Sequence, residues 1–413
     1  MANNNNTKNL NVPNLRFPEF KGEWEETTLG KCVIQPLDYG MNTAAITYDG
    51  ENKYIRITDI DEQSSQYISD SPVSPAGQLL DKYIVEENDI LFARTGASTG
   101  KTYLYKKKDG KLYFAGFLIR AKIKTECNST FIFAQTKTVR YYKWVGFMSI
   151  RSGQPGINSQ EYASYRFLIP QKEEQDKIAK FLSLLDSRIE AQIKIIDKLQ
   201  SLIKELIDAL LENPSWEKAY LSSFMHFFST NSLSWKQLSY TEGEIRNLHY
   251  GLIHGFQTRG IDTAFLPKIL QSFVPKQYTL CQAGDVAFAD ASEDTNEIGK
   301  AIEFISTIDS ETVCGLHTIH GRDIKNKTLI GFKGYVFNSR YFHDQVRRLA
   351  QGTKVFSITA NNLSSCFVYI PELAKQKNIV NLLNAYEELL STNKMLLKQY
   401  EIQKSYLLQQ MFI

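Results

Sequence analysis

What this chain lacks removes several protein classes at once. Its five cysteines (Cys32, Cys127, Cys281, Cys314 and Cys366) are scattered, with no Cys-x-x-Cys pair among them. Neither a zinc knuckle nor a disulfide framework is indicated, and no metal site is expected. No run of about 18 apolar residues occurs, so no transmembrane helix is expected and no membrane partner follows. The opening Met1-Ala2-Asn3-Asn4-Asn5-Asn6-Thr7-Lys8 has no apolar stretch of the kind a signal peptide carries. The expectation is a soluble, cytoplasmic protein. Strong charge of one sign is missing too. The net charge is +3 over 413 residues, where a purely electrostatic nucleic-acid binder is usually far more basic. Residues 171–212 carry −2 and 372–413 carry +1, which leaves +4 for the remainder, a slight bias of the rest of the chain toward polyanions.

What is present begins with length. At 413 residues, 43% of them hydrophobic, the chain exceeds one ordinary core and implies two or more domains. Its 22 Tyr and 24 Phe suit β-rich domains better than a helical bundle. The strongest signal is an internal duplication. Trp24-Glu25 matches Trp216-Glu217, and Asn88-Asp89-Ile90-Leu91-Phe92-Ala93 matches Gly284-Asp285-Val286-Ala287-Phe288-Ala289. Arg140-Tyr141-Tyr142 matches Arg340-Tyr341-Phe342, and Ile169-Pro170 matches Ile370-Pro371. The offsets are 192, 196, 200 and 201. Four landmarks in one order, with a slowly growing offset, define two copies of one unit.

Each copy has a globular segment and then a helix. The globular segments span 13–170 and 213–371, after an arm (1–12) expected to be disordered. Alternating strands such as Lys101-Thr102-Tyr103-Leu104-Tyr105 and Lys111-Leu112-Tyr113-Phe114 flank Asp109-Gly110, which predicts a hairpin. No Pro or Gly interrupts 171–212 or 372–413. Leu182, Leu185, Ile189, Gln192, Ile196, Leu199, Ile203, Leu206 and Leu210 step 3-4-3-4. Leu383, Tyr386, Leu390, Asn393, Leu397, Tyr400, Lys404, Leu407 and Met411 repeat the pattern, each shifted by 201. That is coiled-coil spacing over about four heptads. The alternative is two amphipathic helices lying on their own domains, which normally show a wider stripe. To pair with the first helix the second must run back, so the expected fold is mixed α/β: two similar domains joined by a long antiparallel two-helix coiled coil, a pseudo-twofold dumbbell. A helix of about 40 residues gives a rod of roughly 60 Å. Gln192 and Asn393 put an amide at the same seam position of both helices, either to fix register or to tolerate solvent.

Two fixed but dissimilar readers on one spacer fit a split, asymmetric DNA site with an unread gap. The chain resembles the specificity (S) subunits of type I restriction–modification enzymes. The resemblance rests on Val12-Pro13-Asn14-Leu15-Arg16-Phe17-Pro18-Glu19-Phe20 with Trp24, on Tyr54-Ile55-Arg56-Ile57-Thr58-Asp59-Ile60, and on Asp89-Ile90-Leu91-Phe92-Ala93-Arg94-Thr95-Gly96. It continues in Gly153-Gln154-Pro155-Gly156-Ile157-Asn158, in Ile169-Pro170 before Glu174-Gln175-Asp176-Lys177-Ile178, and in Gln409-Gln410-Met411-Phe412-Ile413. In the second half, His249-Tyr250-Gly251-Leu252-Ile253-His254, Gly315-Leu316-His317-Thr318-Ile319 and Gly352-Thr353 look like the same family. The resemblance implies target-recognition domains, each reading half of a double-stranded DNA site. It implies helices that dock two modification subunits, which bind S-adenosylmethionine and methylate adenine N6. It implies two motor–nuclease restriction subunits using ATP and Mg2+. No cofactor is then bound by this chain itself.

The absence of catalysis can be read from the residues. There is no Asn/Asp-Pro-Pro-Tyr/Phe segment and no nucleotide loop of the right form. Adenine N6 chemistry needs an extruded base in an enzyme pocket, which a partner must supply. Gly96-Ala97-Ser98-Thr99-Gly100-Lys101-Thr102 nearly spells a P-loop, but its spacing is one residue short. A polar loop meeting DNA is the better reading, with Arg94, Thr95, Ser98, Thr99 and Lys101 on phosphate or base, or else an ordinary polar loop between strands. Arg151, Ser152 and Gln154, and in the second copy Gln351, Thr353 and Lys354, follow each domain's last long helix. They are candidate DNA contacts or helix-capping turns. Candidates in the second copy are His249, Tyr250, Arg259 and Ser292, with Arg347 and Arg348 on a helix; the alternative is a solvated or structural surface. His317 and His320 lack further ligands in sequence. Rival readings are a stand-alone DNA-binding regulator, an ATPase or fused methyltransferase, and a scaffold without DNA contact.

Overall fold

A computed structural model describes residues 11–255, 260–261, 263–305 and 311–413. The chain forms two compact units, 1–192 with 396–413, and 193–395. The expected N-terminal arm falls almost wholly outside the described residues; Asn11 already accepts a backbone bond from Trp24, 2.8 Å.

The first unit is built on a four-stranded sheet in the order Asp38–Tyr39, Leu118–Lys122, Asp89–Ala93, Thr102–Leu104. Asp89–Ala93 is buried at every position, which fits a central strand covered on both faces. The strands Glu25–Thr28 and Arg166–Ile169 pair antiparallel, bringing the start and end of the globular segment together. The core runs from Trp24 through Phe131 to Phe412. Glu174, at the start of the first long helix (Lys172–Leu211), accepts from Trp24 Nε1 at 3.3 Å and from Arg16 at 2.7 and 2.8 Å. The C-terminal end of the second long helix (Leu373–Met411) enters the same core through Leu407, Leu408 and Met411. Asp186 pairs with Lys404 at 2.6 Å, and Arg188 lies over the Tyr400 ring at 5.5 Å. Advancing along the first helix therefore means retreating along the second, so in this unit the two segments run in opposite directions. All 18 heptad positions are buried or half-buried.

The second unit repeats the plan with a five-stranded sheet: Met225–Phe228, Thr318–Asp323, Val286–Ala289, Ala301–Phe304, Gly260–Ile261. Glu217–Tyr220 pairs with Phe367–Ile370 as Glu25–Thr28 pairs with Arg166–Ile169. The duplication extends to single hydrogen bonds. Gln175 donates to the Pro170 carbonyl (2.8 Å) and accepts from the Asn128 N–H (3.0 Å). Gln376 donates to the Pro371 carbonyl (2.9 Å) and accepts from the Leu329 N–H (2.7 Å). A Cβ on Gly100 (φ +91) would lie 2.5 Å from Val145, and one on Gly299 (φ +70) would lie 2.6 Å from Val346.

Two sequence expectations are corrected. The pairing of Arg140-Tyr141-Tyr142 with Arg340-Tyr341-Phe342 is one residue out of step. The helices Val139–Met148 and Arg340–Leu349 start after Thr138 and Ser339, and Val145 and Val346 fill the same glycine contact, so the offset at this helix is 201. The Asp109-Gly110 hairpin does not form. Lys107–Asp109 is a 3-10 turn, Thr102–Leu104 joins Asp89–Ala93, and Leu112–Phe114 pairs in parallel with Lys53–Ile55. Asp109 is spent on other bonds: its carboxylate accepts from the Tyr103 hydroxyl and its carbonyl from Lys53, both at 2.7 Å.

Candidate nucleic-acid interface

In the first unit the two candidate loops, more than fifty residues apart in sequence, form one edge. Gly96 N–H donates to the Pro155 carbonyl and Ile157 N–H to the Arg94 carbonyl, both at 2.9 Å, and Thr95 bridges Gly156. Thr99 Oγ1 donates to the Gly96 and Pro155 carbonyls at 2.7 and 3.3 Å. Ser98 closes the 3-10 turn Gly96–Ser98 and remains half-buried. After that turn the chain enters strand Thr102–Leu104 rather than a helix, so the near-P-loop has no helix N-terminus on which to hold phosphate. Arg94 stacks on the Tyr39 ring at 4.9 Å, which holds a planar cation ready for a base edge or phosphate. Lys101 is tethered to the Ile60 carbonyl at 3.1 Å. Arg151 Nη2 donates to both carboxylate oxygens of Glu161 at 2.5 and 2.6 Å, so its charge is largely matched. Ser152 and Gln154 are exposed. Gly153 does not cap the preceding helix, which ends at Met148 with Ser149 as its cap.

The second unit builds the corresponding edge from Ala291–Ser292 paired with Phe356–Ser357. Ile358 N–H donates to the Asp290 carbonyl at 2.9 Å, as Ile157 does to Arg94, so Asp290 occupies the position of Arg94 with the opposite charge. Asp290 lies 3.1 Å from His317 Nδ1. Burial pushes its carboxyl above the usual range, and His317 opposes that shift. His317 has φ 55, a left-handed conformation uncommon outside glycine. His249 is 3% exposed, its ring between Trp235 (4.4 Å) and Tyr250 (4.8 Å), with Nδ1 accepting from Gly251 N–H at 3.2 Å. Burial lowers its affinity for a proton, so it sits inside the domain as a neutral ring. Tyr250 is half-buried, its ring edge-on to His317 at 5.2 Å. Gln351, Thr353 and Lys354 are exposed, with Gln351 and Ser357 exchanging backbone bonds at 2.8 and 2.9 Å. Arg347 and Arg348 are exposed in the last turn of Arg340–Leu349. Arg347 also borders a cleft of about 1190 Å³ with Lys300, Arg340 and Lys394. Arg259 lies outside the described residues.

Residues 39–201 match the family described as "Type I restriction modification DNA specificity domain". The type I restriction enzyme MjaVIII specificity subunit of Methanocaldococcus jannaschii is 23% identical over 409 residues, covering 94% of this chain and 91% of that one. The crystal structure of the S subunit of a type I restriction–modification system from M. genitalium covers 97% of this chain and 99% of its own, with TM-score 0.57 and 15% identity. Residues 39–201 thus carry the type I restriction–modification DNA specificity domain, and the chain as a whole is similar to specificity subunits of such systems. The matched domain family is one of DNA specificity, and specificity subunits of these systems are non-catalytic components. The chain has the α/β fold of that family with two long helices. Among the described residues, no helix is long and apolar enough to cross a membrane.

Neither Tyr39 nor Asp290 is singled out by the sequence as part of this edge, and His317 stands there only as a histidine without further ligands. Tyr39 reaches the edge only through the pairing of Asp38–Tyr39 with Leu118–Lys122, and Asp290 takes its meaning from strand register. The one usable signal was the duplication, which places Asp290 opposite Arg94.

Proposed function

We propose that this subunit reads a bipartite, asymmetric double-stranded DNA site, one half with each globular segment. The segments are taken as target-recognition domains at 13–170 and 213–371, with 171–212 and 372–413 as an antiparallel coiled-coil spacer in a pseudo-twofold dumbbell. The helices dock two modification subunits, which carry S-adenosylmethionine and methylate adenine, and two restriction subunits, which use ATP and Mg2+, in the cytoplasm. The observation that carries this reading is one backbone scaffold used twice with different side chains on its loop edge, Arg94 in one copy and Asp290 in the other. An arginine presents a bidentate donor suited to guanine, and a carboxylate accepts from cytosine N4, so the half-sites should differ. Candidate contacts are Arg94, Ser98 and Gln154 in the first domain, and Tyr250, Ser292, Gln351, Thr353 and Lys354 in the second. Methylome sequencing of a host carrying the subunit with its partners tests the reading. The expected result is one two-part adenine-methylated motif, of which only one half changes when residues 213–371 are exchanged. A contiguous motif, or a swap that alters both halves, refutes it.

A further inference from the structure

The second unit contains a buried cluster that DNA reading does not use. Cys281, Cys314 and His320 are 6%, 3% and 1% exposed. The two sulfurs and one ring nitrogen of His320 all lie within 4.8 Å of one another, and the two sulfurs are 3.6 Å apart. A disulfide requires about 2.05 Å. Two thiolates on one tetrahedral zinc, each at about 2.3 Å, stand about 3.8 Å apart. His320 Nε2 lies 2.7 Å from Asp285 Oδ2. Asp285 is itself held by Arg322 through both oxygens at 2.7 Å and by the Gln282 N–H at 2.8 Å. With Nε2–H donated to that carboxylate, Nδ1 carries the free lone pair, as in a carboxylate–histidine–metal relay.

The first unit shows how the same positions are filled without ligands. Val85 N–H donates to the Leu112 carbonyl as Cys281 N–H donates to Thr312, both at 2.8 Å. Phe114 pairs with Ile55 as Cys314 pairs with Leu248, and Arg120 faces Leu91 as His320 faces Ala287. There the Arg120 guanidinium lies 4.7 Å over the Phe114 ring and 3.6 Å from Asp89, the counterpart of Asp285. A cation therefore already stands at this place in one copy. In the other copy Cys281, Cys314 and His320 stand where Val85, Phe114 and Arg120 stand in the first, and the retained aspartate takes its guanidinium from Arg322 instead.

We propose that Cys281, Cys314 and His320 bind a thiophilic d10 metal ion, a site the scattered cysteines gave no reason to expect. Thiolate-rich sets select zinc(II) or copper(I). Two thiolates neutralise a divalent ion, which suits a site this buried and favours zinc(II). Binding releases the two thiol protons to solvent. The test is elemental analysis of the full-length chain after separate exposure to zinc(II) and to copper(I) and exhaustive dialysis. Near one equivalent of one of these metals is expected in the native chain and in Cys366→Ser, and almost none in Cys281→Ser or Cys314→Ser. Should the serine variants fold poorly, differential alkylation of the native chain decides: Cys281 and Cys314 should react only after chelation, and cobalt(II) should give thiolate charge-transfer bands. Retention of copper but not zinc assigns the site to copper(I). A native chain that dialyses free of both metals, or a Cys281–Cys314 disulfide found by mass spectrometry, overturns the proposal.

Discussion

Lys333 and Glu303 form an ion pair in the second unit, at 3.2 Å, with side chains 2% and 1% exposed. Glu303 also accepts from the Gly334 N–H at 2.7 Å, and Lys333 donates to Thr328 Oγ1 at 2.9 Å. Strand register equates Glu303 with Leu104, and the offset of 201 equates Lys333 with Ile132, so the first unit holds an apolar pair at the same place. Lys333→Ile alone strands a buried carboxylate and should cost about 3–5 kcal/mol, or roughly 6–20 °C in the melting of a unit this size. The double variant Glu303→Leu/Lys333→Ile grafts the other copy's solution and should melt near the native chain or above it. The pH dependence carries a sign. Burial raises the Glu303 carboxyl, while Lys333 and the Gly334 and Gly331 N–H groups pull it back. Without Lys333 it rises further above its unfolded value. Its favourable contribution is then present at low pH and lost as pH rises through the folded value. The single variant should therefore be closer to native stability near about pH 5 than near about pH 8. Thermal melts of native, single and double variants at both pH values measure this. An equal deficit at both, or a double variant as unstable as the single, would refute the reasoning.

Three further outcomes follow from individual residues. Gly100→Ala places a methyl 2.5 Å from Val145 at φ +91, whereas Gly96→Ala at φ +73 meets nothing within 4 Å. The first should cost about 1–3 kcal/mol more than the second, read as the difference between their denaturant midpoints. Arg94→Ala should weaken binding of the assembled complex to its DNA site by about 1–3 kcal/mol if Arg94 meets a base, and should lower the salt slope by about 1 if it meets phosphate; unchanged binding in a salt titration removes Arg94 from the interface. Lys137 donates to Ser65 and Thr102 at 2.7 and 2.6 Å, and burial depresses its amine to about 7. Between that value and its unfolded one, the unfolded chain holds one more proton, so stability rises with pH. The native chain should gain about 1.4 kcal/mol per pH unit relative to Lys137→Met across that window, and parallel stability–pH curves for the two would contradict it.

Features with a fixed period were legible in the sequence. The heptads repeat a spacing, and every predicted seam position, from Leu182 to Leu210 and from Leu383 to Met411, is covered. The doubled unit was legible for the same reason. Features created by strand register were not. Arg94 and Pro155 share an edge, and Cys281 and Cys314 share a pocket, only because non-adjacent strands pair. His249 stands in the sequence as a candidate contact or a structural surface residue, because a histidine beside a tyrosine does not reveal the Trp235 ring that completes its stack. Asp109-Gly110 misled because turn residues specify a reversal and leave open which strands pair afterwards.

The two copies also differ in an ordered way. Conserved between them are groups that lock main chain: Gln175 and Gln376, Gly100 and Gly299, and the N–H bonds accepted by Asp89 and Asp285. Altered are side chains at matched positions: Leu104 and Ile132 to Glu303 and Lys333, Phe114 and Arg120 to Cys314 and His320, Arg94 to Asp290. The two glutamines grip backbone atoms almost alone: Gln376 meets the Lys327, Leu329 and Pro371 main chain. A grip on main chain does not depend on which side chains the domain carries. Replacing residues 213–371 by another reader with the same strand order should therefore leave the seat at Gln376 intact. Substituting Gln376 itself should disturb that seat whichever reader is installed, because a buried amide lost from main-chain partners leaves their N–H and C=O groups unsatisfied at about 1–3 kcal/mol each.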